Sequence, residues 1–385
     1  MKYKYMSSIV VCSAVLFISL GSIITPDQEV SELEGRTLET IPLQIESEDL
    51  EGVLDGAYFS KWDTYFSDHI LGRNYFVSTY NQVQKLLNKR RINDVYLGED
   101  DYLFSLSEYK VKTKEELETR AQFFNDLAST YEDSQLYVVN LPNKYIVNED
   151  KIPIEGYHSQ IKGEFARLAN EFDEEVMVLD LEKTLLNTNE YFYKTDHHWN
   201  MNGIYKGYSQ MIRQLQSKFP QIPSVIDKSE FNIETYPHCF VGSDGRKVGQ
   251  LVNFQEDIEV WNHPDYENIS VKINDKDSSF YHYNRLSEDF FNNDYTVYMG
   301  GDNALEVITN PNVDNDLSLV LIGDSMSNPL IPLLSLHFKT IYSYDMRHYK
   351  GDILADLNDI NPDIITLIGL TPNMMQSYSE VFKLK

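Results

Sequence analysis

Cysteine is nearly absent from this chain: its 385 residues hold two, Cys12 and Cys239. Cys12 falls in an apolar amino-terminal segment, so Cys239 stands alone in the remainder and no intramolecular disulfide can form there. Basic side chains are scarce as well. Lys and Arg number 33 against 60 Asp and Glu, a formal net charge of −27. Phosphate binding needs a basic face and none is apparent, which argues against nucleic acid as a partner. Also missing are His-x-x-x-His and Cys-x-x-Cys pairs, internal repeats and low-complexity segments. Aromatic residues, in contrast, are plentiful. The 27 Tyr and 19 Phe suit platforms for neutral ligands such as sugars, and equally suit an ordinary core.

Lys2 and Lys4 precede an uncharged stretch, Tyr5–Pro26, which Asp27, Glu29, Glu32 and Glu34 follow. At about 1.5 Å per helical residue this stretch spans a hydrocarbon core of roughly 30 Å, and the charge asymmetry places the amino end in the cytoplasm. A cleaved signal peptide is the rival reading. No Ala-x-Ala-like site follows the run, so residues 1–26 are expected to form an uncleaved, single-pass anchor in the cell membrane with the remainder on the extracellular side. Val10-Val11 before Cys12 argues against a lipoprotein site. Residues 27–60, acidic and Pro-containing, read as a stalk, and 61–385 as the globular domain.

Residues 57–90 carry the spacing of an amphipathic helix. Val95–Gly98 and Tyr102–Phe104 read as two short strands about an acidic turn. Thr113 and Glu116 form a capping box before a helix striped by Leu117, Ala121, Phe124 and Leu127. Strands at Leu136–Leu141 and Val176–Leu181 alternate with a helix over Ile161–Phe172, and a further helix spans Ile204–Phe219. Such alternation predicts an α/β fold with a parallel sheet. It stops between residues 220 and 302, where Asn, Asp, Tyr and His abound and short alternating runs such as Val271–Ile273 and Tyr295–Tyr298 predict a β-hairpin and loop insertion. The pattern resumes with a strand at Leu317–Gly323, a helix at Ile331–Phe338 and strands at Thr340–Tyr344 and Asp363–Leu370.

Two stretches carry chemistry. Lys194-Thr195-Asp196-His197-His198-Trp199-Asn200 packs a carboxylate, two imidazoles and an indole between a strand and a helix. Leu317–Ser325 is an apolar strand ending in Gly-Asp-Ser, so the Ser325 hydroxyl is expected at the carboxyl end of a buried strand, where open α/β sheets place their reacting groups. Together they supply a Ser, a His and an Asp: Asp196 to orient His198, His198 to act as base, Ser325 as nucleophile, with backbone N–H groups of the following turn to hold an oxyanion. Adjacent imidazoles point apart, which argues against a metal site, and no cofactor is expected. His197 reads as a structural hydrogen-bonder and Trp199 as packing under the loop or touching substrate. The remaining histidines default to solvent or to satisfied core.

Asp196-His197-His198-Trp199 resembles the signature of the DHHW protein family of Gram-positive bacteria, itself similar to the alginate O-acetylation proteins of the SGNH-hydrolase-like superfamily. The resemblance extends to Glu34-Gly35-Arg36, Phe66-Ser67-Asp68-His69 with Arg73, Gly98 through Phe104, Pro142-x-Lys144, Gly300-Gly301-Asp302-Asn303, Gly323-Asp324-Ser325 and Asp345-Met346-Arg347. It implies an SGNH-like fold with the Asp-x-His pair ahead of the Ser, a permuted order, and makes Asn303, Trp199 and Arg347 candidates for binding substrate. Gly301-Asp302-Asn303 matches the oxyanion-hole Asn block of SGNH enzymes only loosely.

The activity this implies is an extracytoplasmic O-acyltransferase, most simply O-acetyl, acting on a cell-envelope or exported polysaccharide through a serine acyl-enzyme. A membrane-bound O-acyltransferase partner would supply the acyl group and a glycan would accept it. One alternative is a carbohydrate acetyl esterase with the same triad. The other is a non-catalytic glycan-binding assembly factor, which a failure of Asp196, His198 and Ser325 to converge would favour. The 220–302 insertion is expected to wall a groove over Ser325, with Trp261, Tyr281, Tyr283 and Tyr298 as stacking candidates.

Overall fold

The computed structural model describes residues 5–31, 36–41, 56–186, 190–287 and 292–376; Glu34, Gly35 and residues 42–55 of the expected stalk lie outside them. The chain divides into two compact units, Met1–Val95 with Gly245–Asn253, and Tyr96–Asp244 with Phe254–Lys385.

In the first unit α1 covers Met6–Ile24, α2 Ala57–Asp68 and α3 Arg73–Leu86. Gly72 interrupts the single helix expected over 57–90. Its φ of 77° is left-handed, so the chain stops after α2 and restarts in α3 with Gly72 at the N-cap. Among the described residues, no helix is long and apolar enough to cross a membrane.

The second unit is built on one eight-stranded sheet. Its strands are β1 (Gln135–Leu141), β2 (Met177–Asp180), β5 (Ser270–Ile273), β6 (Lys276–Asp277), β7 (Leu305–Thr309), β8 (Ser318–Gly323), β9 (Thr340–Asp345) and β10 (Ile364–Leu370); β3 (Asn232–Phe240) and β4 (Glu256–Asn262) form a separate antiparallel hairpin. The order is β6-β5-β7-β9-β8-β10-β1-β2. From β9 to β2 all pairs are parallel, whereas β6–β5, β5–β7 and β7–β9 are antiparallel. The sheet is therefore mixed where a parallel one was expected. One of the three antiparallel pairs is made locally: Asn274 and Asp275 have φ of 48° and 65°, the paired left-handed geometry of a two-residue hairpin turn, so β6 folds back on β5 without a crossover helix, while β5–β7 and β7–β9 pair segments distant in the chain. The 220–302 stretch thus extends the sheet.

Strand β8 lies inside the sheet with helices on both faces, and its sequence says why. Leu319 and Leu321 join the core that contains Ile204, Tyr208 and Met211 of α7 (Met201–Lys218). Val320 and Ile322 join the core that contains Leu117, Ala121 and Phe124 of α4 (Lys114–Thr130). An unbroken apolar run is what a doubly covered parallel strand requires. Helix α4 starts at the expected capping box: Glu116 N–H donates to Thr113 Oγ1 at 3.2 Å and Thr113 N–H to Glu116 Oε2 at 2.8 Å. Two helices are shorter than their stripes predicted, α6 at Glu164–Ala169 and α8 at Leu330–Leu334. The alternating run Tyr295–Tyr298 is no strand but a tight turn of helix over Asp294–Val297.

Replacing Leu321 by Ala removes apolar volume from the doubly covered centre of the sheet and is expected to cost about 2–5 kcal/mol, read from the urea midpoint of the purified chain. A loss below about 1 kcal/mol would contradict a closely packed β8.

Candidate active site

Residues 191–200 fold as a narrow loop between β2 and α7. Phe192 and Trp199 form an isolated antiparallel bridge; Tyr193 N–H donates to His198 O at 3.2 Å and Asn200 N–H to Tyr191 O at 3.0 Å. Asn200 closes the loop and caps α7, its Oδ1 accepting from the N–H groups of Asn202 and Gly203. Residues 194–197 are left at the tip, and each is clamped. Glu256 of β4 accepts from Lys194 N–H (2.7 Å), Thr195 N–H (2.8 Å) and Thr195 Oγ1 (2.6 Å). From α5 (Lys144–Val147), the buried Lys144 ammonium donates to Lys194 O (3.1 Å), Asp196 O (2.5 Å) and Asp244 Oδ2 (3.2 Å). Gly242 lies so close that a Cβ there would sit 2.1 Å from that of Asp196, so no side chain fits at this position.

Within this frame Asp196 meets both imidazoles. Its Oδ1 accepts from His198 Nδ1 at 2.5 Å and from His198 N–H at 2.9 Å, and its Oδ2 from Ser243 N–H at 2.5 Å. Burial alone would raise its pKa. The His197 and His198 rings, the His198 hydrogen bond and the Ser243 N–H outweigh that and hold the carboxyl well below the usual carboxylate range. An ionised Asp196 can only accept, so Nδ1 of His198 carries the proton and Nε2 is left to accept from Ser325 Oγ, 2.9 Å away. The three groups, 127 residues apart from His198 to Ser325, converge in one relay.

Ser325 stands two residues beyond β8, half-buried, at the start of the turn that leads into α8. Asp324 fixes this turn, its Oδ1 accepting from Met326 N–H and its Oδ2 from Asn373 Nδ2, both at 2.9 Å. Trp199 joins the turn to the loop. Its indole N–H donates to Met326 O at 2.9 Å, and its ring is fully buried, with Gly207 of α7 so close that a Cβ there would lie 2.6 Å from it. Of its two expected roles, Trp199 fills the packing one and has no surface to offer a substrate.

Asn303 and Arg347 make their hydrogen bonds around the Asp302 loop. Asn303 Nδ2 is engaged by Met299 O, Gly301 O and Glu306 Oε1 at 2.8–3.0 Å, so its amide serves its own loop. Arg347 pairs with Asp345 at 2.5 Å and Asp302 at 2.9 Å. Asn328, three residues after Ser325, ties that same loop to the serine turn through Gly301 O (3.1 Å) and Asp302 Oδ1 (3.3 Å). Trp261, Tyr281 and Tyr298 are buried in the core, and of the four stacking candidates only Tyr283 is exposed. A cavity of about 360 Å³ lies beside the loop, lined by Tyr193, Lys194, Asn200, Phe254, Glu256 and Glu259; neither His198 nor Ser325 lines it.

The aromatic residue that reaches the relay is Tyr295. Its ring stacks on His198 with centroids 3.9 Å apart and planes 17° apart, while the His197 ring also lies 3.9 Å from His198, tilted by 36°. His197 is otherwise held by Ser243 Oγ at 3.0 Å. Tyr295 is buried and its hydroxyl has no hydrogen-bond partner among the described residues; burial pushes its pKa well above the phenol range. The ring is therefore neutral and presents a π face to the imidazole. Asp196, His197 and His198 do offer ligand atoms within 4.8 Å of one another. Both nitrogens of His198 are engaged, Nδ1 by Asp196 and Nε2 by Ser325.

The DHHW protein family model matches residues 170–344, a stretch that includes Asp196, His198 and Ser325. No curated protein matches the chain. Among solved structures, Bacillus cereus PatB1 with a sulfonyl adduct superposes with a TM-score of 0.64 at 20% identity, over 76% of this chain and 100% of that one. PatB1 in a second structure gives 0.63 at 22% identity, over 74% and 98%. A DHHW family protein from Eubacterium siraeum gives 0.61 at 20% identity, over 76% and 96%. At such identities the likeness is one of fold.

If the Tyr295 ring stabilises the imidazolium that forms as Ser325 is deprotonated, Tyr295→Leu should slow acylation of Ser325 by an activated acetyl ester roughly 2- to 30-fold, the span of a cation–π contact, while Tyr295→Phe stays near the parent rate. Intact-mass kinetics check this, and equal losses in both variants would put the hydroxyl in charge instead.

Proposed function

We propose, for a chain that matches the DHHW family over residues 170–344 and shares its fold, an O-acyltransferase that acetylates a polysaccharide through an ester on Ser325. The observation that carries the reading is the continuous relay from Asp196 Oδ1 through His198 to Ser325 Oγ, with contacts of 2.5 Å and 2.9 Å. The resemblance to alginate O-acetylation proteins supplies the direction of transfer. The convergence of the relay counts against a non-catalytic glycan-binding role.

In the first half-reaction His198 Nε2 takes the Ser325 proton as Oγ attacks the donor carbonyl. The tetrahedral oxyanion needs N–H donors, and the Ser325 backbone N–H, which no described residue engages, is one that the turn leaves available. Collapse expels the donor's leaving group with the proton from His198 and leaves acetyl-Ser325. In the second half a sugar hydroxyl gives its proton to His198 Nε2 and attacks the ester, and the same proton returns to Ser325 Oγ. The ionised Asp196 holds one tautomer and one ring orientation throughout and stabilises each transient imidazolium. Water in place of the sugar would make the site an esterase, so the balance rests on how the acceptor hydroxyl is presented, and orientation alone is worth an effective molarity of about 10⁵ M or more.

The acceptor that fits a chain of net charge −27 is a neutral or weakly charged cell-envelope glycan, and the acyl donor that fits the resemblance is a membrane-bound O-acyltransferase. Support for a membrane location with the catalytic unit outside the cell comes from the uncharged Tyr5–Pro26 run, the lysines before it and acids after it, and the exposure of Val10, Phe17 and Ile23 along α1.

Groups that act as one relay are strongly non-additive. Ser325→Ala, His198→Ala and their double variant should each lower acetyl-ester turnover by about 10³-fold or more and by nearly equal amounts, with Asp196→Asn somewhat less damaging. His197→Ala should keep most of the activity. An active His198→Ala beside an inactive His197→Ala would reassign the base.

A further inference from the structure

Helix α3 is built inside out. Ser78, Asn81 and Gln84, three residues apart in turn, form its buried face, while Tyr75, Phe76, Tyr80, Val83, Leu86 and Leu87 point to solvent, Leu86 at 85% exposure. The inward contacts are poor. Asn81 Nδ2 reaches Lys247 O and Val248 O at only 3.4 Å each, and Asn81 Oδ1 and Gln84 Oε1 are buried with no partner among the described residues. In water a helix settles with its apolar stripe inward; one that presents tyrosine, phenylalanine and leucine outward has an apolar surface that something else must cover.

Charge names the cover. None of the 60 acidic residues of the chain falls between Asp68 and Asp94, yet Arg73, Lys85, Lys89, Arg90 and Arg91 all do. Lys85, Lys89, Arg90 and Arg91 are exposed at the carboxyl end of the apolar face. A short basic and aromatic zone in so acidic a chain is complementary to an anionic lipid surface: rings and leucines sit at the level of the headgroups, and the cations meet phosphate. The position along the chain agrees. Leu71, just ahead of α3, donates its N–H to Ser22 Oγ in the last turn of α1 at 2.7 Å and packs its side chain on Gly21, so α3 starts where the apolar amino-terminal helix ends.

We propose that the outer face of α3, with the basic run through Arg91, lies on an anionic membrane surface as an interfacial helix. This rests on the membrane location given above and on nothing in the catalytic reading. Tyr80→Cys in a Cys12→Ser background, with Cys239 buried, takes an environment-sensitive fluorophore on the full chain. The chain is then reconstituted into vesicles of phosphatidylcholine with or without phosphatidylglycerol. The fluorophore should shift to the blue and be quenched by lipid-borne nitroxide on the anionic vesicles. Replacing Lys85, Lys89 and Arg90 by Gln should lower the ratio of seated to unseated helix on the order of fivefold per residue, and high salt should lower it as well. A chain that floats with the vesicles but keeps residue 80 open to aqueous iodide overturns the proposal and leaves the proposed membrane location intact. A chain that does not float at all overturns both. Protection of residue 80 without lipid that grows with protein concentration assigns the face to a second copy, and protection that requires an added membrane protein assigns it to that protein; either result overturns a lipid seat.

Discussion

The indole of Trp199 holds the two halves of the site together. Its N–H bond to Met326 O couples the loop that carries Asp196 and His198 to the turn that carries Ser325, and its buried ring is the surface on which α7 packs. A nucleophile and a base from distant parts of a chain keep hydrogen-bond distance only if both backbones are fixed to something common. Removing the indole would leave Met326 O unpaired in the core and a large void beneath the loop, so geometry and stability would fail together.

Around that joint the loop is tensioned by charge. Lys144 is a buried cation whose three donors all reach acceptors, two of them the carbonyls of Lys194 and Asp196 and the third Asp244. Glu256 is a buried acid, pushed upward in pKa by burial while the Thr195 and Lys194 donors oppose the shift. Each would be costly alone in the interior, and each is held by complete hydrogen bonding. The outcome is a rigid backbone at Asp196, which is what lets a single carboxylate serve both His198 Nδ1 and two N–H groups. Rigidity here suits the proposed reaction, which needs one histidine tautomer through two successive half-reactions.

Much of this was legible in the sequence where the signal is local. Thr113 and Glu116 spell a capping box that the backbone adopts, Leu319–Ile322 spell a strand covered on both faces, and Asp196-x-His198 with Ser325 named the groups the fold brings together. What could not be read depends on pairing between distant segments. Nothing in Ser270–Ile273 announces that it lies beside Leu305–Thr309, so the antiparallel edge of the sheet was hidden, although Asn274-Asp275 is a hairpin signal in hindsight. The run Tyr295–Tyr298 alternates like a strand, but a tight helical turn lets Tyr295 lie flat on His198 and buries Tyr298. Trp261 and Tyr281 look like sugar platforms from composition and are core, because aromatic content does not reveal which face a residue turns. Gly72 broke a helix that apolar spacing alone would have continued.

In the function proposed above, Ser325 passes an acyl group to a sugar hydroxyl in preference to water. Incubating the full chain with an activated acetyl ester labelled in the acetyl group, alone and with neutral cell-envelope oligosaccharides, and following both intact protein and glycan by mass spectrometry, tests it directly. A label that appears on Ser325, persists without glycan and moves to the oligosaccharide when glycan is added is the predicted result. A label that never reaches Ser325, or that leaves it for water at the same rate whatever glycan is present, would rule out transfer through Ser325.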